Sequence, residues 1–265
     1  MKHLLKSVVR KVLSDRTSIR IMSMRSRNYQ LKLLRQTDDM ELTQKLVDAY
    51  GTSVLNGPFR GQIYAKTALL NRLCAPRLLG SYEQELHRIF ANLDPSYEAF
   101  LDVGAAEGYY VVGMARKSGG GKVFAYETDP RELSSCREIA QLNGVSGQVD
   151  FRSWCDENEI VSLCAHRRCF VLSDCEGYEL DLFGPRAIDA LRRSDLVIEL
   201  HDHPEVNTRE VLWNRFAPTH HLEVLSVELR HIEDYPESKI LKERAGQALS
   251  DHRPPTQQWL HCLAR

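Results

Sequence analysis

The sequence of 265 residues lacks several features that would assign it to a protein class at once. It has no run of 18 apolar residues, so no transmembrane helix is predicted. With only 15 glycines and 10 prolines, it is neither collagen-like nor of low complexity. Its seven cysteines include no Cys-x-x-Cys pair and match no familiar zinc-finger spacing. An odd number of such thiols predicts a reduced, cytoplasmic protein.

Acidic residues are nearly absent from the N-terminal segment. Residues 1–36 contain ten Lys or Arg and a single acid, Asp15, while the whole chain has a net charge of -1. Leu4, Val8 and Val12 recur at helical spacing, which predicts a basic amphipathic helix. Four roles are compatible with such a helix. It could bind an anionic membrane surface through residues 1–15, bind a partner's groove, act as a transit peptide, or pack on the main domain. We expect it to pack on the domain.

The rest of the chain divides into a helical region, 37–97, and an α/β region, 98–265. The first is predicted to hold a helix running towards Tyr50, a second over 64–74, and a third capped by Ser81. In the second, short apolar runs alternate with amphipathic helices. The runs are 99–103, 122–126, 148–154, 169–173, 196–200, 221–227 and 259–263; the helices lie near 109–117, 131–142, 156–164, 178–192 and 207–216. This alternation predicts a Rossmann-like, mostly parallel sheet of seven strands with helices on both faces.

A glycine-containing segment follows the first predicted strand and opens a helix. In an open α/β sheet, ligands bind beyond the carboxyl ends of the strands, so this loop is the predicted cofactor site. Gly104 allows a tight turn and close approach of the backbone to a ligand, and Gly108 lets the helix begin near the sheet. The pattern Asp-x-Gly-x-x-x-Gly differs from the fingerprint of dinucleotide binders. Asp102 and Glu107 favour a ligand with an amino group over a pyrophosphate.

Acidic residues also follow the second and third predicted strands. Glu127 comes 23 residues after Gly104, and a carboxylate there can accept both hydroxyls of a ribose. Asp156 follows Trp154 at the third strand, which places an acid and an aromatic residue where an adenine would lie. A helix-capping role for Asp156 is an equal alternative.

These residues resemble the S-adenosylmethionine-dependent class I methyltransferases, over about residues 98–265. The resemblance implies a seven-stranded sheet with a reversed last strand, the class I methyltransferase fold. It also implies that Glu127 binds the ribose and that Asp156 faces the adenine amino group. Asp102, Gly104 and Glu107 are implied to lie by the methionine part of the cofactor. The other residues predicted to bind the cofactor are Ala105, Gly108 and Asp174.

The fourth predicted strand leads into the sequence Asp174-Cys175-Glu176-Gly177-Tyr178-Glu179. This resembles the Asp-x-Glu-Gly-x-Glu signature of the FkbM-type methyltransferases, many of which methylate hydroxyl groups on sugars and natural products. Glu199 and His201, at the fifth strand, are similar to that family's acid-then-His strand end. The resemblance implies O-methylation of a hydroxyl on a sugar, glycan or small natural product.

A hydroxyl is a poor nucleophile until its proton is removed or shared, so a base is expected near the methyl group. Asp174 and His201 are the candidate catalytic residues, because adjacent parallel strands end there. Glu176, Glu179 and His203 are candidates for binding the acceptor, although Glu179 is as well suited to a helix terminus. A magnesium ion held by Asp174, Glu176, Glu199, His201 and His203 is the alternative to a base, and we predict no metal ligand.

Two other function classes are compatible with parts of the sequence. The basic N-terminal segment is suited to a nucleic-acid-modifying enzyme, but the acidic remainder and the absence of an Asn-Pro-Pro-Tyr-like motif argue against nucleic acid. A non-catalytic binding protein with the same fold is the other alternative. A small-molecule or glycan acceptor is the expected partner, and no oligomeric state is predicted.

Overall fold

The computed structural model describes residues 39–69, 74–201 and 205–265. The predictions for the basic segment 1–36 and for His203 lie outside these residues. No helix within the described ranges is long and apolar enough to cross a membrane.

Seven strands form one sheet in the order β3-β2-β1-β4-β5-β7-β6. Their bounds are β1 Ala99–Val103, β2 Lys122–Tyr126, β3 Val149–Arg152, β4 Cys169–Ser173, β5 Asp195–Leu200, β6 His220–Ser226 and β7 Gln258–Ala264. All neighbouring pairs are parallel except those of β7, which runs antiparallel to both β5 and β6. The predicted seven-stranded sheet, including the reversed last strand, is confirmed.

Helices cover both faces of the sheet. The α-helices are α1 Asp39–Tyr50, α2 Lys66–Leu69, α3 Ala75–Leu79, α4 His87–Ala91, α5 Tyr109–Lys117, α6 Pro130–Leu142, α7 Glu157–Cys164, α8 Glu179–Leu182, α9 Pro185–Ala190, α10 Thr208–Phe216 and α11 Ala245–Leu249; short 3₁₀ helices span Gln84–Leu86, Ser146–Gln148, Ile232–Asp234 and Pro236–Arg244. Every residue of β1 and β4 is buried. Along β1, Phe100 packs into one core and Leu101 into the other, as the alternation of a strand requires.

The prediction of one helix over 178–192 is wrong, because two short helices occupy that stretch. The first, α8, ends at Leu182, and α9 begins at Pro185. Proline lacks the amide hydrogen needed inside a helix but fits its first turn. The break leaves α8 as a single turn directly after the β4 loop.

The region 39–97 packs on α5 and on one face of the sheet. The Phe59 ring lies so close to Gly113 that a Cβ on that glycine would be 2.4 Å from a ring carbon. The predicted cap at Ser81 is wrong: its hydroxyl donates to the Leu249 carbonyl at 3.0 Å, and the Gln84–Leu86 3₁₀ turn leads into α4. This packing carries Arg77, Tyr82 and Glu83 to the carboxyl ends of the central strands.

Candidate active site

The glycine loop after β1 fits closely against the end of β4. Gly104 has a φ of 96°, and a Cβ on it would lie 1.8 Å from the carbonyl oxygen of Asp174. The amide groups of Gly104 and Ala105 both donate to the Tyr126 carbonyl at 2.9 Å, which ties the loop to β2. Gly108, also with a φ of 96°, precedes α5 and lies against Cys136. Glycine is required at both positions, because a Cβ would collide with these neighbours and the positive φ disfavours other residues.

Glu127 holds the glycine loop and the β2 turn together. Its carboxylate accepts the amide groups of Ala106 at 2.8 Å and Asp129 at 2.7 Å. The carboxylate therefore lies beside the glycine loop, where the sequence predicted a ribose-binding acid.

Asp102 forms the floor of the loop. Its side chain is buried, and the Oδ2 atom has no hydrogen-bond partner among the described residues. Burial, followed by the nearby charges of Asp174 and Glu127, raises the pKa of this carboxyl well above its usual value. A buried acid without a partner is costly, and a ligand ammonium group would satisfy it.

Glu107 does not face an open pocket but forms an ion pair. Its Oε1 lies 3.0 Å from Arg77 Nε, and the Tyr64 hydroxyl donates to the same atom at 3.4 Å. Both charged side chains are buried. Glu107 is predicted to lie beside the methionine part of the cofactor, and in the structure its partner is Arg77, which lies 30 residues earlier in the chain and has no predicted role.

Asp156 is the N-cap of α7. Its carboxylate accepts the amide of Glu159 at 3.0 Å, which is the capping alternative considered for this residue. Beside it, the rings of Trp154 and Tyr178 pack with their centroids 4.9 Å apart, and Trp154 remains exposed. An exposed aromatic surface therefore lies at the ends of β3 and β4.

Asp174, Glu176 and Glu179 surround His201, so the β4 and β5 ends meet as predicted. His201 Nδ1 lies 2.7 Å from Glu179 Oε1, and its Nε2 lies 3.5 Å from Asp174 Oδ1 and 3.9 Å from Glu176 Oε2. Glu179 is fully buried, whereas Glu176 is exposed. In this arrangement Glu179 orients the imidazole, and Asp174 and Glu176 are the carboxylates that an acceptor can reach.

His201 is protonated at neutral pH. Burial lowers its pKa, but the hydrogen bond to Glu179 and the charge of Asp174 outweigh burial and raise the pKa to about 9. The expectation that His201 accepts a proton near neutral pH is therefore corrected, because three carboxylates stabilise its charged form.

A half-buried arginine, Arg253, lies on the other side of Asp174. Its guanidinium donates to Glu83 and Glu199, and also to the Tyr82 hydroxyl at 3.2 Å. Nη2 lies 3.7 Å from Asp174 Oδ2. Burial opposes ionisation of Asp174, but Arg253 and His201 hold its pKa below the ordinary value. Asp174 therefore carries its charge between two cations.

A metal ion is less well matched to these residues than a hydroxyl group. Asp174, Glu176 and His201 each offer one ligand atom, and these atoms lie within 4.8 Å of one another. A metal ion, however, would have to displace the His201 proton and compete with Arg253 for Asp174. Glu199, another candidate ligand, is already paired with Arg253. The contacts give no support to the magnesium alternative.

No family model and no curated protein matches the chain. Solved structures similar to it include an S-adenosylmethionine-dependent O-methyltransferase from Thermotoga maritima (15% identity, covering 64% of this chain and 61% of that chain, TM-score 0.39). Another is a precorrin-6y C5,15-methyltransferase from Geobacter metallireducens (13% identity, covering 76% of this chain and 92% of that chain, TM-score 0.43). A third is an rRNA methylase from Streptococcus thermophilus (13% identity, covering 64% of this chain and 87% of that chain, TM-score 0.42). The sheet order with its reversed β7 is that of the class I methyltransferase fold.

Proposed function

We propose that this protein is an S-adenosylmethionine-dependent methyltransferase of the FkbM type that methylates a hydroxyl on a sugar, glycan or small natural product. The observation that carries the proposal is the buried, unpartnered Asp102 Oδ2 below the glycine loop. A buried carboxyl with a raised pKa at the edge where ligands bind is typical of a functional group, not of a stabilising one.

The residues around the loop fit the separate parts of the cofactor. Asp102 would accept the ammonium group, and the backbone at Gly104 would lie against the methionine chain. Glu127 would accept the ribose hydroxyls with its carboxylate oxygens. Trp154 and Asp156 border the place for the adenine. When bound, the cofactor supplies a methyl group on a positively charged sulfur.

Asp174 is the residue placed to act on the acceptor. A hydroxyl that donates to this carboxylate is held for in-line attack on the methyl carbon. Asp174 would take up the proton that the acceptor hydroxyl loses on methylation. His201 and Arg253 hold the carboxylate in place from either side. Glu176, exposed on the same loop, is suited to a second hydroxyl of the acceptor.

Binding of the demethylated cofactor tests the first part of the proposal. We expect S-adenosylhomocysteine to bind at micromolar levels in calorimetry, with NAD and ATP not competing. Tight NAD binding without S-adenosylhomocysteine binding would refute the assignment.

An acceptor screen with methyl-labelled cofactor tests the second part. We expect label in polyhydroxylated small molecules or glycans. Asp174→Asn should then reduce turnover about 100- to 10,000-fold and leave S-adenosylhomocysteine affinity within about threefold. Asp189→Asn, the same change at an exposed carboxylate on α9, is the matched control. Transfer of label to RNA alone would contradict an acceptor of this class.

The cellular location proposed with this function is the cytoplasm. All seven cysteines are free thiols, and six of them are buried. A protein that keeps this many thiols is suited to a reducing compartment.

A further inference from the structure

Arg77 lies at the glycine loop although it belongs to the N-terminal helical region. It is on α3, its side chain is 9% exposed, and its Nε lies 3.0 Å from Glu107 Oε1 in the loop. Its guanidinium carbon lies 4.0 Å from the centre of the Tyr82 ring. The Tyr82 hydroxyl in turn contacts Arg253, so Arg77 borders the same space as the Asp174 network.

The methionine end of the proposed cofactor carries a carboxylate as well as an ammonium group. The acids around Asp102 would attract an ammonium group. They are Asp174, Glu127, Glu83 and Glu107, whose negative charges all raise the pKa of Asp102. The same acids repel a carboxylate, which therefore needs a cation at the loop. Arg253 is already engaged by Glu83 and Glu199. Arg77 is the buried arginine that contacts the glycine loop itself, and its charge also reaches Asp174.

We propose that Arg77 binds the carboxylate of the methionine moiety and that Glu107 is the positioning residue for Arg77. This inference rests on the proposed function. An arginine presents five donors in a planar arrangement, so one guanidinium can bind two carboxylates at once. The glycine loop then holds both charges of the cofactor, the ammonium on Asp102 and the carboxylate on Arg77. Glu107 contacts Arg77 and not the cofactor.

The test compares two ligands that differ only in the carboxylate. S-adenosylhomocysteine and its decarboxylated analogue are titrated calorimetrically into the wild-type protein, Arg77→Leu and Arg77→Lys. We expect Arg77→Leu to weaken S-adenosylhomocysteine about 10- to 150-fold, the range for a charged hydrogen bond. Its affinity for the analogue should change by less than about threefold. Arg77→Lys keeps the charge and should lie between the wild type and Arg77→Leu.

Arg230→Leu is the matched control, because Arg230 is equally buried and pairs with Glu85 and Asp251 away from the loop. It should shift both affinities by the same factor. Glu107→Gln should weaken S-adenosylhomocysteine more than the analogue, but less than Arg77→Leu does.

Two results would overturn the proposal. If Arg77→Leu and Arg77→Lys both lose affinity for the two ligands equally, Arg77 has a structural role. If the wild type binds the two ligands with the same affinity, nothing in the protein binds the carboxylate. A wild type that binds neither ligand would instead refute the proposed function itself.

Discussion

At the scale of single residues, Asp102 shows a conflict between stability and binding. Its folded pKa is raised by burial and by neighbouring acids, so ionisation at neutral pH favours the unfolded chain. Asp102 contributes most favourably to the free energy of unfolding at a pH below its pKa in the unfolded chain. This contribution is lost as the pH rises through its raised pKa in the folded protein. Nothing among the described residues satisfies Oδ2, so the expected compensation is a ligand.

Asp102→Asn tests this conflict directly. We expect the free energy of unfolding at pH 7 to rise by about 1–3 kcal/mol, because the cost of the buried acid is removed. The affinity for S-adenosylhomocysteine should fall about 10- to 150-fold, because the charge that binds the ammonium is lost. Urea unfolding and calorimetry measure the two effects. A variant with lower stability and full affinity would contradict the assignment.

His201 gives a pH dependence of the opposite sign. Its folded pKa of about 9 lies above the ordinary value, so its stabilising contribution is complete below about pH 6.5 and is lost as the pH rises towards 9. The stability difference between wild type and His201→Gln should shrink by about 3 kcal/mol over that window. Urea unfolding at pH 6, 7.5 and 9 measures it. Glu179→Gln should flatten the slope, and a constant difference would show that Glu179 does not hold the charged imidazole.

At the scale of elements, the glycine loop combines a special backbone conformation with a close contact. Gly104→Ala faces both the positive φ and the Asp174 carbonyl 1.8 Å from the new Cβ. We expect it to lower the free energy of unfolding by about 4 kcal/mol or more. Gly120→Ala is the matched control, since Gly120 has a φ of 106° with nothing within 4 Å of a Cβ.

The strain alone should make Gly120→Ala cost about 1–2 kcal/mol. The difference between the two variants isolates the contact between the β1 loop and the β4 end. Equal losses, measured by urea unfolding, would mean that the loop moves away from β4 at little cost.

The helices and strands that the sequence predicts best are those whose burial gives a single clear hydrophobic pattern. The bounds of β1, β2, β4 and α5 agree with the predicted runs, because central strands covered on both faces read as unbroken apolar segments. The apolar pattern over 178–192 does not reveal the break between α8 and α9, although Pro185 marks it. The acids at the ends of β1, β2 and β4 could be predicted from their position after apolar strands, whereas their roles were implied by the family resemblance. Arg77 and Arg253 could not be predicted, because contacts across long separations leave no local pattern.

At the scale of the whole molecule, one arginine joins three distant parts of the chain. Arg253 lies in the loop before β7 and contacts Glu83 in the N-terminal region and Glu199 on β5. Glu83 is fully buried and has a φ of 45°, a strained conformation for this residue, which the surrounding contacts must hold. The position of the N-terminal region over the sheet edge therefore depends on this pair.

A double-mutant cycle with Glu83→Gln and Arg253→Met tests that dependence by urea unfolding. Arg253→Met leaves Glu83 and Glu199 without their cation and should cost about 3–5 kcal/mol. Glu83→Gln leaves Arg253 paired with Glu199 and should cost less. The double variant removes both charges and should lose clearly less than the sum, with a coupling of about 1–3 kcal/mol. The exposed pair Asp189 and Arg192 is the control and should couple weakly. Additive losses at Glu83 and Arg253 would mean that the N-terminal region is held over the site by its apolar contacts alone.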